Sequence, residues 1–392
     1  MATTLKLTYS SAHLAASKEL EIPKTKAGET TKFKLPASIL KHTQMPQSLL
    51  TIRFRLRNST KWAQAGHEIA WVQHTFTGLS LKDFKSHPPR SSLQVSSSKT
   101  THTVKGIDFS FAFDRSRGVL KTWTHNTSTL LAAKDNLDPA LKIGFNRCPT
   151  DNDRPEDFLD WQRYGIDDLR SQLRDFSLNQ VSDTEVQLVS KTFISPPILA
   201  WGFDATTTYT IFGDGKLSVK VNLVPVGGGK LPKHLPRIGL DIRASLALET
   251  STWFGLGPGE SYPDTKASQK IGLYDSLVKD LGVEYEVPQE NGNRLETNWL
   301  KLYPTAGGYG IRATRFDSEQ FAWQVGRYKD AVLEQARHPR DLIGQEEDAL
   351  LWRLDVATAG VGTAACGPGV REEYSVKVEE TNFEFMLESV LY

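Results

Sequence analysis

Between Asn146 and Pro155 the sequence runs Asn-Arg-Cys-Pro-Thr-Asp-Asn-Asp-Arg-Pro, too polar for a core strand and too dense in turn formers for a helix interior. Asp151, Asn152 and Asp153 in this run can line a pocket or coordinate a cation. They can equally serve as turn and cap residues. A second polar cluster, Gln289, Glu290, Asn291 and Arg294, is open to two readings, one facing the hydroxyl groups of a ligand and the other purely structural. Glu260, Tyr262 and Asp264 follow Gly255-Leu256-Gly257-Pro258-Gly259, which superficially has the look of a phosphate loop; the proline and the missing Lys-Ser/Thr favour a turn. His67, His234 and His338 stand in motif-like settings, yet no His pair has metal-ligand spacing, so each reads as a structural residue and neither metal nor cofactor is expected. Cys366 is flanked by small residues with no nearby cation to lower its thiol pKa, which argues against a nucleophile. Asp241 and Arg243 form either a pair across an open face or part of an exposed strand edge.

A scaffold of 392 residues has room for two or three domains and a sizeable core. Its 47 Lys and Arg against 46 Asp and Glu give a net charge of +1, which argues against nucleic acid as a partner. No apolar run approaches the length of a membrane span, and the N-terminal segment shows no long apolar core of a secretory signal. With only Cys148 and Cys366, far apart in sequence, the chain offers neither a disulfide framework nor clustered zinc ligands, so a reduced, cytoplasmic setting is expected. The sequons at Asn58 and Asn126 are then chance matches.

The periodicity is that of an all-β protein. Leu50, Ile52, Phe54 and Leu56 alternate with Thr51, Arg53, Arg55 and Arg57, and a second alternation runs through Ile69, Trp71, Gln73 and Thr75. Ser, Lys and Pro dominate from Ser80 to Thr103, a composition that reads as a linker. Beyond it Phe109, Phe111 and Phe113 alternate, Asp114 to Gly118 turns the chain, and Leu217, Val219, Val221 and Leu223 mark another strand. Two short helices are predicted. One starts at Asp153, with Glu156 at capping-box spacing, and carries Phe158, Trp161 and Leu169; the other places Tyr328, Val332, Leu333 and Ala336 on one face and stops before His338-Pro339. Strands resume through Phe383, Phe385 and Leu387 near the end, and no internal repeat is present.

Four stretches together resemble the C-terminal region, or small chain, of family 2 β-galactosidases: Asn146 to Pro155, Trp253 to Asp264, Pro288 to Arg294, and Gly360 to Pro368. The stretch Gly66-His67-Glu68-Ile69-Ala70-Trp71 resembles the closing strand of the immunoglobulin-like domain that follows the barrel in that family. The resemblance implies an immunoglobulin-like β-sandwich over 1–79, a linker over 80–103, and a galactose-mutarotase-like β-supersandwich over 104–392. It also implies that hydrolysis belongs elsewhere. A retaining glycosidase needs two carboxyl groups roughly 5–5.5 Å apart, and in this family they sit on a barrel of roughly 250 residues. The family's nucleophile, acid and magnesium segments do not occur in this sequence.

The expected role is therefore a non-catalytic accessory subunit or carbohydrate-binding domain. Its partners would be a barrel-containing chain or a second copy, with a carbohydrate or small molecule as ligand and no membrane. On this alignment Cys366 occupies the position where bacterial members often carry Trp, so any ligand there loses a stacking platform. A rival reading makes the sandwich a small-molecule enzyme, a cyclase, isomerase or epimerase, working by positioning and hydrogen bonding.

Overall fold

The computed structural model describes residues 2–8, 14–21, 25–40, 48–76, 91–135, 138–317, 319–362 and 369–392. The chain divides into two compact units, one of residues 1–87 with 270–273 and one of residues 88–269 with 274–392.

In the first unit, strands β1 (Ala2–Thr8), β2 (Leu14–Glu21), β3 (Ser48–Arg55) and β4 (Glu68–Phe76) form an antiparallel sheet in the order β2-β1-β3-β4. The alternation read from the sequence sets its faces. Leu50 and Ile52 pack with Leu20, Leu35, Phe76 and Ile39 of the short helix α1 (Ala37–Leu40), while Arg53 and Arg55 point the other way.

In the second unit the chain forms β5 (Gln94–Ser97), β6 (Thr101–Lys105), β7 (Phe109–Asp114), β8 (Val119–His125), β9 (Ser128–Ala132) and β10 (Leu141–Gly144). There follow α2 (Asp157–Arg163), β11 (Arg170–Ser182), β12 (Glu185–Ser195), β13 (Gly202–Phe212), β14 (Leu217–Val226), β15 (His234–Leu235) and β16 (Arg237–Ala244). The last part contributes β17 (Thr250–Gly257), β18 (Lys270–Leu277), β19 (Arg294–Thr297), β20 (Trp299–Tyr303), β21 (Tyr309–Arg315) and β22 (Phe321–Gly326). After helix α3 (Asp330–Gln335) come β23 (Leu350–Thr358), β24 (Val376–Lys377) and β25 (Thr381–Leu391).

Two large antiparallel sheets result. One has ten strands in the order β19-β22-β23-β16-β9-β8-β7-β6-β5 with β10 also on β16; the other has nine in the order β11-β12-β13-β14-β25-β21-β20-β17-β18. Aromatic pairs join them across the core: Phe113 meets Tyr209 at 5.1 Å, Phe321 meets Phe385 at 5.5 Å, and Trp253 meets Trp323 at 5.2 Å. This is the supersandwich that the resemblance implies. Leu217, Val219, Val221 and Leu223 are fully buried on one face of β14, as their spacing requires. No helix among the described residues is long and apolar enough to cross a membrane.

Three local readings need correction. Residues 80–90 of the proposed linker lie outside the described residues, but β5 and β6 fall within residues 94–105, where Val104 is fully buried and Val95 packs on the core. One inward valine on each strand, Val95 paired with Val104, among Ser and Thr makes an edge hairpin that composition alone disguises. Helix α2 starts four residues after Asp153, at Asp157, with no side-chain cap from Glu156, because the Asp153 carboxylate is engaged elsewhere. Helix α3 excludes Tyr328 and ends at Gln335.

Candidate functional site

The loop leaving β10 is knotted on itself by one ion pair. Arg147 and Asp153 are almost wholly buried, and the guanidinium grips the carboxylate in two-pronged fashion, Nη1 to Oδ2 at 2.8 Å and Nη2 to Oδ1 at 3.0 Å. Asp153 Oδ2 also accepts the Thr150 backbone N–H at 2.7 Å and its hydroxyl at 2.8 Å. The guanidinium lies 5.1 Å from the Trp161 ring of α2, and its Nη2 donates to the Gly360 carbonyl at 3.2 Å.

That last contact begins a wider convergence, because all four motif segments meet. Asn152 Nδ2 donates to the Val361 carbonyl at 2.6 Å. Asp264 accepts the backbone N–H groups of Val361 and Gly362 at 2.9 and 2.8 Å. Asp151 and Gln289 exchange two hydrogen bonds, the Asp151 backbone N–H to Oε1 at 3.1 Å and Nε2 to Oδ2 at 3.2 Å. The Ser261 backbone N–H and Asn293 Nδ2 each donate to the other residue's carbonyl at 2.7 Å, and the Gly292 N–H donates to Glu260 at 2.7 Å.

Beside this knot runs a row of buried and half-buried charges. Arg353 on β23 donates to Glu290 at 3.1 Å and to Gln324 at 2.7 Å, and pairs with Asp330 at the start of α3. Arg237 on β16 donates to Asp355 at 2.7 Å and to the Asn146 carbonyl at 2.6 Å, and pairs with Asp241. The facing glycines Gly144 and Gly239 make room for it: a Cβ on Gly144 would overlap Asp241 and Arg237, and one on Gly239 would overlap Asp355 and the Leu354 carbonyl. Burial pushes the Glu290 carboxyl up, opposed by Arg353 and Arg147. It raises Asp355 to about 6 against the pull of Arg237 and Arg353.

The expected site residues are thus brought together, and their polar atoms are directed at one another. Asp151 is exposed, Asn152, Gln289 and Asn291 are half-buried, and Asp153, Glu290 and Arg294 are buried. Asn291 Oδ1 accepts the Val283 N–H at 3.0 Å, and its Nδ2 donates to the Gln289 carbonyl at 2.9 Å. Arg294 lies against the rings of both Trp253 and Trp323 and donates to the carbonyls of Leu281 at 2.9 Å and Pro258 at 3.2 Å; burial lowers its pKa to about 10. Cys366 lies outside the described residues. Glu260, Tyr262 and Asp264 belong to a turn, with Tyr262 and Thr265 bridged.

Asp241 and Arg243 do not pair, nor do they mark an edge. β16 lies inside its sheet, Asp241 meets Arg237, and Arg243 meets Asp138, Glu347 and Asp348. His67 packs edge-on against Trp62, and His338 caps a short turn over Pro339–Leu342. Among the described residues no three His, Cys, Asp or Glu side chains gather as a metal site would need. Sequence reasoning passed over Arg237, Asp330, Arg353 and Asp355. The signal was available in β23, where Arg353 and Asp355 interrupt the apolar run Leu350-Leu351-Trp352 and Leu354.

Comparison with known proteins gives the same assignment from independent ground. Residues 105–387 match the family described as the β-galactosidase small chain, and residues 3–77 match β-galactosidase domain 4. The chain is similar to a β-galactosidase of Kluyveromyces lactis, 32% identical over 338 residues that cover 85% of this chain and 31% of the relative. It is also similar to a β-galactosidase of Actinobacillus pleuropneumoniae, 26% identical over 90% of this chain and 33% of the relative. It therefore spans about a third of the length of these relatives. A solved structure of galactose 1-epimerase from Lactobacillus acidophilus aligns with 77% of this chain and 99% of its own at 7% identity, with a TM-score of 0.44. An α-mannosidase from Enterococcus faecalis aligns with 84% of this chain and 33% of its own at 10% identity, with a TM-score of 0.43. With the small-chain match covering most of its length, this chain belongs to the β-galactosidase small-chain family.

Proposed function

We propose that these residues form the non-catalytic part of an assembly that hydrolyses β-galactosides, working beside a barrel that carries the two catalytic carboxylates. The observation that carries this reading is where the motif carboxylates are spent. Asp153 neutralises Arg147, Glu290 is paired with Arg353, and Asp264 holds the backbone of Val361 and Gly362. An acid whose oxygens are taken up by a guanidinium or by backbone N–H groups is fixed in place and turned toward protein partners, which suits a scaffold better than proton transfer. The scaffold fixes the root of the glycine-rich segment through three partners, Arg147, Asn152 and Asp264. Asp151, the exposed member of the cluster, and its partner Gln289 are the groups from which a sugar hydroxyl could accept or donate a hydrogen bond in the assembled pocket. Two cysteines more than two hundred residues apart fit a reducing, cytoplasmic setting for this assembly.

The test uses a β-galactosidase shortened to remove the region this chain matches. Adding the purified chain is expected to give a complex in analytical ultracentrifugation and to restore cleavage of a chromogenic β-galactoside. Absence of both, with the chain folded and with several such truncated partners, would overturn the proposal.

A further inference from the structure

The near-even charge of the whole chain conceals a division. Residues 1–87 carry 13 Lys and Arg against five Asp and Glu, whereas the remaining residues carry 34 against 41. A cationic surplus on so short a stretch gives the first unit a positive field, and such a field attracts polyanions in a salt-dependent way. The cations are available: Lys26, Lys32, Lys34 and Lys61 are exposed and make no ion pair among the described residues.

Aromatic residues adjoin them in the sequence. Among the described residues of this unit the exposed aromatics are Phe33 at 44% and Trp62 at 66%, and each is flanked by these lysines, in Lys32-Phe33-Lys34 and in Lys61-Trp62. The core of the unit, built on Ile39 and Leu50, does not use either ring. Trp62 is displayed on an ordered loop: the Thr60 N–H donates to the Ala63 carbonyl at 2.8 Å, the Ala65 N–H donates to Ser59 Oγ at 3.1 Å, and His67 braces the indole edge-on at 5.3 Å. An exposed indole and, one residue before it, an exposed lysine without an ion pair among the described residues supply a flat apolar face and a positive charge on the same loop. A pyranose ring bearing a uronate or sulfate group has the matching pair of features.

We propose that the first unit is a binding module for an acidic polysaccharide, holding sulfated or uronate-bearing galactoside polymers through stacking on Trp62 and ion pairing with Lys32, Lys34 and Lys61. The choice of a glycan among polyanions rests on the proposed glycosidic function. The charge and the placement of the rings do not.

The full chain is titrated with a sulfated galactan, with polygalacturonate and with a neutral β-galactan, at about 50 and about 300 mM NaCl, following tryptophan fluorescence. Binding of the acidic polymers is expected to weaken roughly tenfold or more across that salt range, as release of several counterions requires, with no binding of the neutral polymer. Trp62→Ala should weaken binding about fivefold or more at constant salt dependence, on the scale of ring stacking. A Lys32→Ala, Lys34→Ala, Lys61→Ala triple variant should flatten the salt dependence. Failure to bind, equal binding of the neutral galactan, or tighter binding of a single-stranded oligonucleotide or of anionic lipid vesicles would overturn the inference. Complementation with a small neutral galactoside should be untouched by Trp62→Ala. Failure of the unsubstituted chain to bind the acidic polymers while it still complements therefore sinks this inference alone, and binding without complementation sinks only the proposed function.

Discussion

Asp153→Ala isolates Arg147. In the native structure the guanidinium is 1% exposed and has three contacts to lose or keep: two short bonds to Asp153 and one to the Gly360 carbonyl at 3.2 Å. Only the last survives the substitution, beside the contact with the Trp161 face, which is worth about 2 kcal/mol when desolvated and is present before and after the change. Breaking one side of a buried pair costs about 3–5 kcal/mol, because the remaining charge is uncompensated. The Thr150 N–H also loses its acceptor, a further cost of about 1–3 kcal/mol that water entering the vacated space partly offsets. A loss of about 4 kcal/mol follows, which at roughly 2–4 °C per kcal/mol for a large domain lowers the melting temperature by roughly 10 °C. Urea unfolding followed by tryptophan fluorescence reads it directly, with an unchanged m-value. A second variant separates charge burial from packing. Arg147→Met with Asp153→Leu removes both partners and is expected to recover most of the loss, since apolar replacement of a buried pair is often neutral. A single-variant loss below about 1 kcal/mol, or a double variant no better than the single, would refute the reasoning.

Other residues give sharper readouts of neighbouring features. Burial raises Asp355 to about 6, so folding takes up a proton and stability falls as pH rises from about 4 to 6; the urea midpoint is expected to be higher at pH 5 than at pH 7, and Asp355→Asn should remove that difference. A midpoint that rises over the same interval only in the native chain would contradict the assignment. Gly239→Ala should cost about 1–3 kcal/mol or more by overlap with Asp355 and the Leu354 carbonyl, whereas Gly326→Ala, with nothing within 4 Å of the added methyl, should be close to neutral in the same urea assay. Asp264→Ala should raise hydrogen exchange at the Val361 and Gly362 amides about tenfold while leaving the β14 amides protected; unchanged exchange would show that the carboxylate does not hold the loop root.

The strands were legible because period two is a local signal. Phe109, Phe111 and Phe113 needed only their own spacing to be placed inward, and so did Phe383, Phe385 and Leu387. The turn after Asp114 was equally plain, with Gly118 at positive φ closing it. Helix starts were less so. Asp153 and Glu156 have the spacing of a capping pair, but Asp153 bonds Arg147, a choice that depends on burial of both and that no local rule contains.

The candidate site was legible as a set of residues and illegible as an arrangement. Asp151 meets Gln289 across 138 positions and Asn152 meets Val361 across 209, so nothing in either neighbourhood names the partner. Asp241 and Arg243 share a face of β16 and invited a pairing. Asp241 instead meets Arg237, four residues back on the same strand, and Arg243 meets Asp138, Glu347 and Asp348, loop residues about a hundred positions away. The charge division between the units was visible in the sequence throughout, and the whole-chain balance hid it.

The central claim is that the acids of this family's small-chain motifs hold structure here and perform no hydrolysis. Turnover of a chromogenic β-galactoside by the purified chain, alone and after titration with a barrel-bearing β-galactosidase that lacks the matched region, tests it most directly. The account predicts no turnover above the buffer rate for the chain alone and activity that rises to saturation with the partner. Sustained turnover by the chain alone, abolished by substituting Glu290 or Asp153 in a variant that remains folded, would contradict it.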